Sequence, residues 1–184
     1  MIYDKHYFEG KKYGHTTPGG YDAYGATAYS RLSLLAKAVE LIEEFNIAGS
    51  VLVVGAAYGH LVSALRQLHV NAYGLDISSF AISQSPAYIR DYLFVGNAAE
   101  PESYYTVCNK AGIETFSLVI SENMFCCLSD DEACLFHILS IFFSHKVVHL
   151  VENRPALAKW YNYKSIERLN SIYEHPQVSF KIQE

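Results

Sequence analysis

Short apolar runs alternate along this chain with segments whose apolar residues recur every three or four positions. Val51–Val54 is an unbroken, largely β-branched run, and 116–121 and 146–151 are runs of the same kind. Shorter ones occupy 70–75 and 92–95. Runs this short and this apolar suit strands covered on both faces. Between them the period changes. Over 31–47, Leu35, Ala38, Ile42 and Phe45 share one helical face, with Lys37, Glu40 and Glu44 elsewhere, and Ala48-Gly49 ends the segment. A helix opening at Gly59 carries Leu61, Leu65 and Leu68. Ser78 caps a short helix over 79–84 that stops before Pro86, and Pro101 starts one that Gly112 ends. Ser129 and Glu132 form a capping box for a helix reaching 144, with Leu135, Ile138 and Phe142 directed inward. A last helix over 164–173 and a terminal strand over 177–182 complete the pattern. This alternation predicts a single α/β domain over 1–184: a doubly wound, mostly parallel sheet with helices on both faces and right-handed crossovers.

The chemistry concentrates between residues 51 and 78. Gly55 breaks the first strand, and the following helix leaves its first N–H groups without intrahelical partners. Small residues at the turn let a ligand approach the backbone. The next strand ends at Asp76, where a carboxylate can accept hydrogen bonds from two ribose hydroxyls. A dinucleotide turn wants G-x-G-x-x-G, a register that reads Gly55, Ala57 and His60 here and lacks its third glycine. The tighter G-x-G-x-G register reads Gly55, Ala57 and Gly59. The spacing therefore disfavours a nicotinamide-dependent oxidoreductase. A glycine turn that binds nothing is the plain alternative. Glu122-Asn123 ends the fourth strand next to the first, where open α/β sheets place their ligands. Glu122 is thus the candidate polar group on the substrate side.

The run VLVVGAAYGH…AYGLDIS resembles the first two motifs of class I S-adenosylmethionine-dependent methyltransferases, and FSLVISENMFCCLSDDEA resembles their fourth-strand segment. The resemblance covers most of 32–152. It implies a Rossmann-like methyltransferase fold, S-adenosylmethionine as cofactor and methyl transfer as the reaction. It also implies roles. Gly55, Ala57 and Gly59 would admit the methionine part, and Asp76 would hold the ribose. Ile77, Asn97 and the adjoining Ala98 would hold the adenine. Glu122 would orient or deprotonate the acceptor. Residues 1–30, rich in tyrosine and glycine, read as an arm or lid, with Tyr13 and Tyr24 as pocket contacts. Family members usually carry an acid where Val53 stands, a glycine where Ala57 stands and Glu-His where Cys126-Cys127 stands. They usually end in an antiparallel strand pair, so the tail here reads as shortened. These departures keep a second function open: an S-adenosylmethionine-binding protein without methyl transfer.

Composition narrows the rest. The chain has 184 residues, a net charge of −5 and no block of lysine or arginine, which argues against a large nucleic-acid footprint. A small-molecule acceptor, such as a sugar or another polyol, fits better. Cys108, Cys126, Cys127 and Cys134 have no paired C-x-x-C spacing and read as reduced thiols of a cytoplasmic protein. No metal site is expected. No apolar run reaches a membrane span of about 18 residues or reads as a secretory signal. His149, inside an apolar strand, reads as an interior histidine, and His137 as a helix-surface one.

Overall fold

The computed structural model describes residues 3–8, 28–152 and 165–183. Helix α1 is Lys5–Phe8 and α2 is Ala28–Phe45. Strand β1 (Val51–Val54) leads through the glycine turn into α3 (His60–Gln67) and β2 (Ala72–Asp76). Two short helices, α4 (Ser79–Gln84) and α5 (Ala87–Arg90), precede β3 (Leu93–Val95). Helix α6 (Pro101–Ala111), β4 (Leu118–Glu122), α7 (Asp130–Phe142), β5 (Val147–Glu152), α8 (Ile166–Ile172) and β6 (Val178–Gln183) follow. The sheet order is β3-β2-β1-β4-β5-β6, and every described pairing is parallel. The predicted doubly wound sheet is therefore present. The order reverses at β1, which lies between β2 and β4.

Successive residues of each strand face opposite layers. Val51, Val53, Leu118 and Ile120 join the core beneath α2 and α3. Leu52, Val54 and Val119 join a second core with Tyr104, Phe136 and Leu169 from α6, α7 and α8. Local signals set the helix ends. Ser78 Oγ accepts from the Ala81 N–H at 3.1 Å, Gly112 closes α6 in the left-handed region (φ 70°), and the Ser129–Glu132 capping box opens α7.

Two expectations need correction. Helix α2 spans Ala28–Phe45, and its buried centre is Leu34, Ala38 and Leu41, with Leu35, Ile42 and Phe45 at its flank. Helix α7 buries Ala133, Phe136, His137 and Ser140. Leu135, Ile138 and Phe142 are 49, 53 and 65% exposed. Apolar residues lie all round this helix, so their spacing does not select a face. The small Ala133 and Ser140 do, because they allow close approach to the sheet. His137 is consequently buried, packed at 4.9 Å between ring centroids against Tyr173. The single terminal strand expected over 177–182 is β6, which runs parallel to β5. The helical crossover over α8 makes a parallel return natural.

Candidate functional site

The C-terminal ends of β3, β2, β1 and β4 lie in register. Val54 pairs with Leu75 on one side and Ser121 on the other, and Asp76 pairs with Val95. Gly55, Asp76, Asn97 and Glu122 therefore stand at or just past the C-terminal ends of neighbouring strands along one edge.

The turn after β1 uses left-handed backbone three times: Gly55 (φ 74°), Ala57 (φ 48°) and Gly59 (φ 74°). This conformation is inexpensive for glycine and costs an alanine roughly 1–2 kcal/mol. Space matters as well. A Cβ on Gly59 would lie 2.7 Å from Leu93 Cδ1, and one on Gly55 would collide with the Met124 thioether. The turn is tied to β2 by its backbone. Gly55 N–H donates to Leu75 O at 2.8 Å, and Gly59 N–H donates to Ala56 O at 2.7 Å.

Asp76 completes the tie. Its Oδ2 accepts from the Ala57 N–H at 2.8 Å, and its Oδ1 accepts from the Ser78 N–H at 2.8 Å. Burial holds its carboxyl above the usual range, and the Ser78 and Ala57 N–H groups offset only part of that rise. Each carboxylate oxygen has about two acceptor sites, so the pair of backbone bonds leaves one on each. Beyond Asp76, Ile77 is 53% exposed, an accessible apolar face rather than core. Asn97 Oδ1 accepts from the Ala99 N–H at 3.0 Å, and its Nδ2 donates to Glu100 at 3.2 Å, an Asx turn. The Ala98 side chain packs into the core, and its carbonyl accepts from Tyr104 Oη at 3.0 Å. Tyr13 and Tyr24 lie outside the described residues.

On the far side of β1, Glu122 Oε1 is 3.1 Å from Lys37 Nζ, and both side chains are half-buried. The sequence pattern sets Lys37 aside as a polar-face residue. Nothing in its spacing marks it as a partner of a residue 85 positions away. Asn123 is left-handed (φ 56°), and its carbonyl accepts from Cys126 Sγ at 2.9 Å.

The described part of the N-terminal arm is packed on this edge. Phe8 stacks on Tyr58 with centroids 5.3 Å apart, and Tyr7, Phe8, Tyr58 and Ala81 form a cluster with Tyr3, Ala57 and Phe80 at its border. Ser78 Oγ donates to the Tyr3 carbonyl at 2.5 Å, and Tyr3 Oη donates to the Cys127 carbonyl at 3.3 Å. Residues 3–8 thus bridge the turn after β4 to the end of β2. Aromatic content alone does not give these partners.

No family model matches the sequence, and no curated protein sequence matches it. Solved structures do. One, from work on the conversion of a disulfide bond into a thioacetal group during echinomycin biosynthesis, superposes with a TM-score of 0.58 at 18% identity, over 74% of this chain and 65% of that one. A second, a SAM-dependent methyltransferase from Archaeoglobus fulgidus, superposes with a TM-score of 0.52 at 13% identity, over 68% of this chain and 52% of that one. The fold is that of the class I methyltransferases. This chain spans about two thirds of the first structure and half of the second. Gly55, Asp76 and Glu122 stand at the strand-order reversal, the place where open α/β sheets in general bind ligands. Among the described residues, no group of three or more His, Cys, Asp or Glu is placed to hold a metal ion. Among them too, no helix is long and apolar enough to cross a membrane.

Proposed function

We propose that the chain is an S-adenosylmethionine-dependent methyltransferase acting on a small-molecule acceptor, with a sugar or polyol hydroxyl as the favoured class. The observation that carries this reading is Asp76: a buried carboxylate at the end of β2, bonded to a turn whose alternate residues are left-handed. The donor set suits an adenosyl group. Asp76 keeps acceptor capacity for ribose hydroxyls, and Ile77 offers an exposed apolar face for a base. Asn97 would meet the adenine amino group, with Ala98 beside it contributing backbone. Gly55, Ala57 and Gly59 place no side chain larger than a methyl group along the turn. Met124 covers Gly55, and its unbranched thioether is flexible enough to move aside. Residues 3–8 would serve as part of a lid, with Tyr13 and Tyr24 as further contacts from the same arm.

When bound, S-adenosylmethionine supplies a sulfonium-activated methyl group. What remains for the chain is alignment and exclusion of water, and alignment alone can lower a barrier by roughly 7 kcal/mol or more. A hydroxyl acceptor keeps its proton at neutral pH and needs a base. Glu122 would take that proton, and Lys37 would hold its carboxylate in place. The second reading is a cofactor-binding protein without turnover. The Lys37–Glu122 ion pair favours it, because Lys37 already engages one oxygen of the candidate base.

Transfer of a labelled methyl group from S-adenosylmethionine to a panel of sugars, polyols, amines and phenols separates the two. Methylation that falls by about 10²–10⁴ in Glu122→Gln, with cofactor affinity retained, supports the enzyme reading. Cofactor binding with no transfer to any acceptor supports the binding protein.

A further inference from the structure

Two adjacent cysteines stand in the turn after β4, and the site as described makes no use of them. Cys126 Sγ and Cys127 Sγ are 3.7 Å apart, both half-buried. Both thiols donate to the Asn123 carbonyl, Cys126 at 2.9 Å and Cys127 at 3.6 Å. The Cys127 N–H donates to Met124 O at 2.9 Å, and the Cys127 carbonyl accepts from Tyr3 Oη. From Tyr3 the chain of contacts runs through Ser78 to Asp76. The backbone of the cysteine pair therefore holds one end of the segment that covers the 55–59 turn.

We propose that Cys126 and Cys127 are a modification site for small-molecule disulfides, which oxidise them to a vicinal bridge, and that the bridge detaches residues 3–8 from the turn after β4 and so loosens them over the 55–59 turn. The chemistry balances by thiol–disulfide exchange. The Cys127 thiolate attacks one sulfur of the small disulfide, forming a mixed disulfide and expelling one thiolate. The Cys126 thiolate then attacks the Cys127 sulfur and expels the second. Two protein S–H bonds become one S–S bond, and the small disulfide takes the two electrons and both protons as two thiols. Cys127 suits the first step, because the neighbouring Cys126 thiol holds its acidity above that of an ordinary cysteine. Burial pushes the Cys108 thiol the other way.

The mechanical consequence follows from covalent geometry. Adjacent Cα atoms are about 3.8 Å apart, below the usual disulfide span of about 4.4–6.8 Å, and the sulfurs must close to about 2.05 Å. The peptide between them has to tilt. That tilt removes the Cys127 N–H from Met124 O and carries the Cys127 carbonyl away from Tyr3. Tyr3 then keeps Ser78 and its contact with Tyr7, and loses its tie to β4. This inference does not depend on the methyl-transfer reading.

The test treats the full chain with oxidised glutathione. It measures peptide masses and hydrogen exchange at the Tyr7 and Phe8 amides, which donate to the Asp4 carbonyl just before α1. The expected result is a loss of two hydrogens in the peptide holding both cysteines. Exchange at Tyr7 and Phe8 should then be faster by about 10-fold or more, restored by a reductant and absent in Cys126→Ser. Phenylarsine oxide, which needs two neighbouring thiols, should protect the pair in the unmodified chain. A glutathione adduct that stays on Cys127, oxidation at Cys108 or Cys134 alone, or a bridge that leaves exchange unchanged would each overturn the proposal.

Discussion

The turns after β1 and β4 lie side by side on one edge of the sheet and are held by opposite means. Residues 55–59 are held by backbone. Left-handed residues set their path, Leu75 and Ala56 carbonyls take their N–H groups, and one carboxylate, Asp76, closes the turn. Residues 122–127 have two backbone bonds, Asn123 N–H to Leu150 O and Cys127 N–H to Met124 O, and are otherwise held by side chains from elsewhere. Lys37 comes from α2, and Phe125 packs within 5.5 Å of the rings of Phe136 in α7, His149 in β5, Tyr173 just past α8 and Phe180 in β6. A turn of the first kind is specified by its own residues. A turn of the second kind is specified by the assembled fold, so it should fail when a distant partner is removed.

The comparison can be broken most sharply at Phe125. Phe125→Ala should cost about 3–5 kcal/mol in denaturant unfolding, since it empties a buried aromatic site. Phe142→Ala, on the exposed face of α7, should change stability by less than about 0.5 kcal/mol. Equal costs would mean that α7 faces the other way.

The next effect is a pH dependence centred on the β4–β5 side, to which His60, lowered by burial, adds on the β1 side. His149 is fully buried, with Nδ1 2.8 Å from Ser121 Oγ, and among the described residues its Nε2 has no hydrogen-bond partner. Burial holds it well below the usual histidine range, and burial brings His137 down to about 4. Both stay neutral in the fold. The unfolded chain takes up protons below about pH 6.5, whereas folded His137 does so only near pH 4. Stability should therefore be flat between about pH 7 and 8 and fall steadily from about 6.5 toward 4, with His137→Phe reducing the slope. A melting temperature unchanged across that window would place these histidines in water.

The smallest effect belongs to the backbone-held turn. Ala57→Gly relieves a left-handed alanine, and the added freedom of the unfolded chain offsets part of the gain. The net should be stabilising by up to about 1 kcal/mol. A destabilised Ala57→Gly would show that the methyl group packs against something the fold needs.

The same contrast explains what the sequence makes legible. Strand order, the helix caps and the placement of Gly55, Asp76 and Glu122 on one edge follow from runs, punctuation and the doubly wound rule, all local signals. Asn97 illustrates a half-legible case: its position is as expected, and its amide makes an Asx turn with Ala99 that asparagine favours anywhere. Lys37, Met124 and the pairing of Tyr3 with Cys127 are illegible, because each contact joins residues far apart in the chain. The burying face of α7 is missed for a different reason. Its outer positions are as apolar as its inner ones, so only close packing of Ala133 and Ser140 against the sheet breaks the tie.

The central claim is that Asp76 and the turn it closes form an adenosyl site. Calorimetric titration of the chain with S-adenosylhomocysteine, in the original protein and in Asp76→Ala, tests it most directly. The account predicts saturable one-to-one binding that weakens by roughly 10–100-fold or more when the charged acceptor is removed. No binding to the original chain, or equal affinity in a folded Asp76→Ala protein, would contradict it.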